Sequence, residues 1–277
     1  MRRSAAVPAA VGRASTSAAP RRPFGKPRAG GEDSRQDGGA TWSIRPLDRA
    51  FFGRSPRRVA RELLGKVLVR DCGTLRLAGR IVEVEAYLGE NDPAAHAAAG
   101  NTARTSVLFG PPGYAYVYFI YGSHYCLNVS CQREGKAGAV LFRALEPLLG
   151  IEEMARARKV ALEGSRDLPR LTAGPGRLAE AFGITRARDN GCDLASSSSG
   201  LWIGDDGFRA RKIQITPRIG ISKAADRPLR YIVAGNPFVS GRKTPVKTTK
   251  VGSGILTNGC RLSLGLNARK IRSNQGI

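Results

Sequence analysis

The sequence predicts a mixed α+β fold, a single domain with flanking helices and a protruding β-hairpin. Three observations predict it. From Gly113 to Ser130 the chain reads GYAYVYFIYGSHYCLNVS, in which β-branched and aromatic residues alternate with small ones on either side of a Gly122-Ser123 turn signal. Helix signals closed by glycine lie both before and after this stretch. Both ends of the 277-residue chain have compositions that cannot bury a core, which leaves a middle span the size of one domain.

Residues 1–42 are rich in Ala, Arg, Ser, Pro and Gly, with no acid before Glu32. That composition suits a disordered basic segment that targets an organelle, plastid or mitochondrion, with a nuclear address as the alternative. The domain is expected over 43–240. Ser55-Pro56 supplies an N-cap serine and an N1 proline; Val59, Leu63 and Leu64 form an apolar face, and Gly65 ends the helix. Strands are expected at Lys66 to Asp71 and Arg76 to Ala86. The second places Val82, Val84 and Ala86 on one face, with Glu83 and Glu85 beside Ile81 on the other.

In the hairpin, Tyr114, Tyr116, Tyr118 and Ile120 share one face, and Ala115, Val117, Phe119 and Tyr121 share the other, so Tyr118 and Tyr121 point to opposite sides. Ala139 to Leu145 reads as a buried strand carrying Arg143 on the face of Ala139, Leu141 and Leu145. Glu152, Glu153, Arg156, Arg158 and Lys159 complement the dipole of a surface helix from Ile151 to Leu162. Thr172 to Arg177 opens a further helix that Gly183 stops, and short strands follow at Leu201 to Gly204, Arg211 to Ile215 and Arg230 to Ala234. Residues 241–277 carry Arg242, Lys243, Lys247, Lys250, Arg261, Arg269, Lys270 and Arg272 without an acid, and read as a disordered basic tail.

Lys+Arg 45 against Asp+Glu 22 gives a net charge of +23, which points first to nucleic acid as partner. No apolar run reaches the length of a membrane span, so no membrane partner is expected. Cys72, Cys126, Cys131, Cys192 and Cys260 lack CxxC spacing, and His96 and His124 complete no known ligand pattern, so no metal is expected. Without a phosphate-cradling glycine motif no nucleotide cofactor is expected either.

The residue types point to a site. Glu83 and Glu85 are most simply a solvated strand face, yet the strand runs into Tyr87 and a polar loop through Asn91-Asp92-Pro93 to His96, the types an acid/base site uses. Arg143 on an apolar face needs a partner, for which Glu85 is the natural choice. Of seven tyrosines in the chain, Tyr114, Tyr116, Tyr118, Tyr121 and Tyr125 fall in the hairpin. Flat rings beside one pushed outward at a tip suit stacking on bases and prying them apart, although an aromatic sheet core explains the hairpin taken alone. Thr172, Gly174, Gly176 and Arg177, at a glycine-flanked helix start, could hold a DNA phosphate or form a plain cap.

Several of these segments together resemble the alkyladenine (3-methyladenine, or methylpurine) DNA glycosylases. They are Arg80 to Tyr87 with His96, Phe109 to Gly122, Cys126-Leu-Asn128, Leu141 to Pro147, Leu171 to Leu178, Arg218-Ile-Gly-Ile221 and Pro228 to Tyr231, in family order. The resemblance implies a curved antiparallel sheet and a monofunctional glycosylase that acts, as a monomer and without a cofactor, on alkylated purines in duplex DNA. It implies that Glu85 activates water and Arg143 helps hold it. Tyr87, His96, Tyr118 and Asn128 would form the base pocket, Tyr121 the minor-groove wedge, and Arg104 a phosphate contact. Ser123 stands where the family often carries a bulky methionine. A binding protein with the same fold and no chemistry is the alternative, and a carboxylate facing a polyanion argues against it.

Overall fold

The computed structural model describes residues 42 to 241. The expected targeting segment up to residue 41 and the basic tail from 242 lie outside the described residues. In chain order the elements are β1 (Arg45–Pro46), α1 (Arg49–Phe52), α2 (Pro56–Leu63), β2 (Val67–Cys72), β3 (Leu75–Tyr87), a 3-10 turn (His96–Ala99), α3 (Ser106–Phe109), β4 (Ala115–Ile120), β5 (His124–Ser130) and β6 (Ala139–Leu149). There follow α4 (Ile151–Arg158), α5 (Pro169–Thr172), α6 (Pro175–Ala181), α7 (Arg186–Asp189), β7 (Leu201–Asp205), β8 (Ile213–Thr216) and β9 (Arg230–Val233). The fold is α+β, as expected, with one curved antiparallel sheet of order β1-β7-β2-β3-β6-β5-β4.

β3 is the hub of the sheet. Its first half pairs with β2 up to Arg80, and from Glu83 to Glu85 β9 replaces β2, while β6 pairs along its length. The sheet branches where β2 gives way to β9. At that branch the β3–β6 register runs Ile81↔Leu145, Glu83↔Ala144, Val84↔Phe142 and Glu85↔Leu141. Val82 is therefore an extra residue on β3 and Arg143 an extra residue on β6, offset bulges of the kind that re-aim side chains.

The bulges overturn two expectations about faces, because an extra residue inverts the alternation beyond it. Ile81 joins Val84 and Ala86 in the main core, whereas Val82 packs with Ala144 and Phe238 on the other side. Leu145 likewise joins the main core with Val140 and Phe142, so Arg143 keeps company with Ala139 and Leu141 but not with Leu145.

The main core lies between one sheet face and the helices. Val59, Ala60 and Leu63 of α2, Met154 of α4 and Leu178, Ala179 and Ala181 of α6 meet Leu68, Ile81, Val84, Leu127, Val129, Val140 and Phe142 of the sheet. Burial of side chains such as these stabilises by about 1.5–3 kcal/mol each. α2 begins at Pro56 as expected, but the Ser55 side chain makes no cap bond; its carbonyl accepts from Arg58 and Val59 instead. α4 stops at Arg158, short of Leu162, where Lys159 turns left-handed at φ 51°. Among the described residues no helix is long and apolar enough to cross a membrane.

Candidate active site

The side of β3 away from the helices carries Glu83, Glu85 and Tyr87. A solvated face is ruled out, since both glutamates are 0% exposed. Glu83 accepts from Arg143 Nε at 2.9 Å, Arg230 Nε at 2.7 Å, and the Ser240 backbone N–H and hydroxyl at 2.5 and 2.9 Å. Its lone pairs are committed to holding the framework. Glu85 accepts from the Ile219 N–H at 2.8 Å and from Tyr87 Oη at 3.0 Å, and lies 3.3 Å from Arg143 Nη1. Arg143 meets its expected partner Glu85 and a second one besides, because the bulge sets its guanidinium between both carboxylates.

Electrostatics separates the two ends of this network. Burial pushes the Glu85 carboxyl above its usual range, against the opposing pull of Arg143, the Ile219 N–H and Tyr87. Burial, reinforced by the Glu85 charge, raises the Tyr87 phenol, which stays neutral and donates. A carboxylate raised in this way takes up a proton more readily than an exposed one, as a general base must.

Beside this cluster lies a cavity of about 380 Å³ lined on its aromatic side by Tyr87, His96, Tyr116 and Tyr118. His96 Nδ1 and Tyr116 Oη are 2.9 Å apart, and the His96 ring meets Tyr118 edge to face at 4.5 Å. Burial and then the Arg104 charge lower the His96 pKa, so the imidazole is neutral at neutral pH. Asn128 on β5 donates Nδ2 to the Tyr116 carbonyl at 3.1 Å and faces the cavity, with Cys126 two residues earlier on the same face. Glu85 sits behind the wall, reached through Tyr87 and Arg143, which both line the space.

At the mouth stands Tyr121. Ile120 pairs with His124, leaving Tyr121, Gly122 and Ser123 to turn the chain, with Tyr121 at φ 54° and Gly122 at φ 68°. Left-handed backbone is unusual for a bulky residue, and strain of this sort gathers at functional positions. The Tyr121 ring is 80% exposed. Strand alternation would send it away from Tyr118, but it falls in the turn rather than the strand, and both residues line the same cavity.

The expected phosphate contacts divide. Thr172 is fully buried and donates its hydroxyl to the Leu145 carbonyl at 2.6 Å, and the Gly174 N–H is bonded to the Arg143 carbonyl at 2.9 Å, so neither is free for an anion. Both instead fasten the α5–α6 segment to β6 behind Arg143. Gly176 lines the cavity, and a Cβ there would lie 2.9 Å from the His124 ring, so only glycine lets α6 approach the hairpin this closely. Arg177 and Arg104 are exposed; Arg104 also reaches the Tyr116 hydroxyl.

The sequence gives no role in the site to four features that the structure places there: Cys126, the Ala94-Ala95 wall, the Ile219 to Ile221 loop, and the ion pair beneath Tyr87. In that pair Arg218 donates from Nη1 and Nη2 to Asp92 at 2.6 and 2.9 Å, with both side chains 0% exposed. Cys126 was legible from its spacing to Asn128. Nothing local marks Arg218 and Asp92 as partners across 126 residues.

An aromatic cavity with a buried carboxylate behind one wall, opening beside an exposed ring on a strongly basic chain, is the build of an enzyme that works on a base turned out of a DNA duplex. The chain belongs to the methylpurine-DNA glycosylase family, whose model matches residues 50–237. A Koribacter versatilis protein is 65% identical over 200 residues, 72% of this chain and 95% of its own length. One from Burkholderia cenocepacia is 48% identical over 203 residues, covering 73% and 94%. One from Methanocella arvoryzae is 47% identical over 199 residues, covering 71% and 96%. Each bears the name "Putative 3-methyladenine DNA glycosylase". The chain is accordingly a DNA glycosylase of base excision repair, and the reading as a binder without chemistry falls away.

Proposed function

We propose that the enzyme flips alkylated purines from duplex DNA into the cavity and cleaves their glycosidic bond with water, acting on 3-methyladenine and 7-methylguanine and also on hypoxanthine and ethenoadenine. The observation that carries this is the position of Glu85, a buried carboxylate of raised pKa held by Arg143, Tyr87 and Ile219 directly behind the wall of an aromatic pocket. In this reading Glu85 takes a proton from the attacking water and stabilises the oxocarbenium-like sugar, and Arg143 helps hold the water. Tyr87, His96 and Tyr118 stack around the base, and Asn128 disfavours guanine's exocyclic amino group. Tyr121 enters the minor groove and fills the vacated stack, offsetting the few kcal/mol that unstacking costs. Arg104, Gly176 and Arg177 are left to meet phosphates. Water is the only co-reactant this chemistry requires, and one protein chain suffices for it.

The test is release of free base from methylated duplex by the purified protein, followed chromatographically. Liberation of 3-methyladenine and 7-methylguanine supports the reading, and intact glycosidic bonds after long incubation would overturn it. Separate duplexes carrying hypoxanthine or ethenoadenine check the wider range.

A further inference from the structure

We propose that the two tyrosines of the pocket divide base recognition by charge: Tyr118 selects for a cationic purine, whereas Tyr87, whose ring is already engaged by the Arg218 guanidinium, stacks on a base without favouring its charge. This rests on the reading that the cavity receives the flipped base. Arg218 Cζ lies 4.7 Å from the centroid of the Tyr87 ring. The guanidinium is fixed there by its two bonds to Asp92 and a third, at 3.1 Å, to the Ala86 carbonyl.

An aromatic ring attracts a cation through its quadrupole, and a guanidinium seated on one face uses the attraction that a second cation would draw on. The second cation is also repelled by the first, in surroundings of low dielectric where such terms are not screened. Asp92 offsets part of the Arg218 charge for distant groups, but it binds the guanidinium's Nη atoms and leaves its contact with the ring in place. Tyr87 thus offers area for stacking and little for charge.

Tyr118 differs. Among the described residues no guanidinium lies over its ring; its neighbours are His96 at 4.5 Å, Tyr116 at 5.7 Å and the Cys126 thiol. With a neutral imidazole beside it, its face remains available to a positively charged base. Selection between a protonated or methylated cationic purine and a neutral one therefore falls on β4 rather than on the end of β3.

The test is binding in the Glu85→Gln background, where the lesion persists, to duplexes carrying one 7-methylguanine, one hypoxanthine or no lesion. Tyr118→Leu is expected to weaken binding to the 7-methylguanine duplex roughly two- to thirty-fold more than to the hypoxanthine duplex, the range of a cation–π contact. Tyr87→Leu is expected to weaken both alike. A second route replaces Arg218 and Asp92 together, by Met and Asn, which should shift preference toward the cationic lesion by a similar factor. A cation-selective loss in Tyr87→Leu, or no difference between the tyrosines, overturns the inference. Equal affinity of the unsubstituted pocket for damaged and undamaged duplex would instead overturn the functional reading beneath it.

Discussion

Ser240 gives Glu83 both its backbone N–H, at 2.5 Å, and its hydroxyl, at 2.9 Å. Ser240 is thereby bonded twice to the residue on which the buried cluster rests. Arg143 and Arg230 also converge on Glu83, so this carboxylate organises the site although it lies away from the cavity lining.

Glu83→Gln should consequently act on folding. Removing one charge from a buried, paired cluster leaves two guanidiniums undercompensated, a change that typically costs about 3–5 kcal/mol. Denaturant unfolding should show a loss on that scale, with Ser240→Ala losing about 1 kcal/mol. Unaltered unfolding midpoints would show that the cluster contributes nothing to stability. Glu83 is thus no neutral comparison for Glu85, as two neighbouring glutamates on one strand face would be.

Glu85→Gln should act on chemistry. Loss of a general base is worth about 10²–10⁴-fold in rate, and single-turnover excision should fall by that order while affinity for damaged duplex holds. The loss should be smaller for 7-methylguanine, whose charge makes it a good leaving group, than for neutral hypoxanthine. Excision near the unsubstituted rate would remove Glu85 from the mechanism.

The pH dependence of activity and of stability should run in opposite senses at Glu85. Its folded-state pKa is raised by burial, so the ionised form needed for excision is lost as pH falls at values above the ordinary glutamate range of about 4.3. Its contribution to stability is full below the unfolded pKa and is lost as pH rises through the folded one. Asp205, brought to about 2 by Lys66 and Arg209 against a burial effect that raises it, contributes stability at neutral pH that is lost as pH falls toward 2. Rate against pH and melting temperature against pH, measured with and without Glu85→Gln, separate these effects; an acid limb that Glu85→Gln leaves in place would assign it to another group.

Tyr121→Ala should slow excision from duplex more than from single strands, because an exposed ring at the turn matters where a stack must be opened. The ratio of single-turnover rates on the two substrates is the measurement. Equal losses would make Tyr121 an ordinary packing residue.

Binding to undamaged duplex should weaken steeply with salt. With a net charge of +23 the enzyme meets many phosphates, and six to ten such contacts lose on the order of 10³–10⁵ in affinity between about 50 and 200 mM salt. A flat titration would contradict an electrostatic footprint on DNA.

How far the site can be read from sequence depends on the range of the interactions that build it. The hairpin, the β3 carboxylates and Arg143 follow from alternation and residue type, which are local. The faces of Ile81, Val82 and Leu145 do not, because the bulges at Val82 and Arg143 are settled by pairing between strands about sixty residues apart. Thr172 and Gly174 look like an anion cradle in sequence for the same reason: the carbonyls of Leu145 and Arg143 that occupy them come from β6. The role of the Arg218 motif needed Asp92 beside it, and that pair exists only in the folded chain.

The two bulges cancel one another. On either side of them the β3–β6 ladder keeps the same register, Arg80↔Glu146 before and Glu85↔Leu141 after, so Val82 and Arg143 together amount to an insertion that the sheet does not need. Deleting both residues would leave an unbroken ladder of that same register, without the guanidinium. The guanidinium that stands between Glu83 and Glu85 is in that sense an addition written into a continuous scaffold.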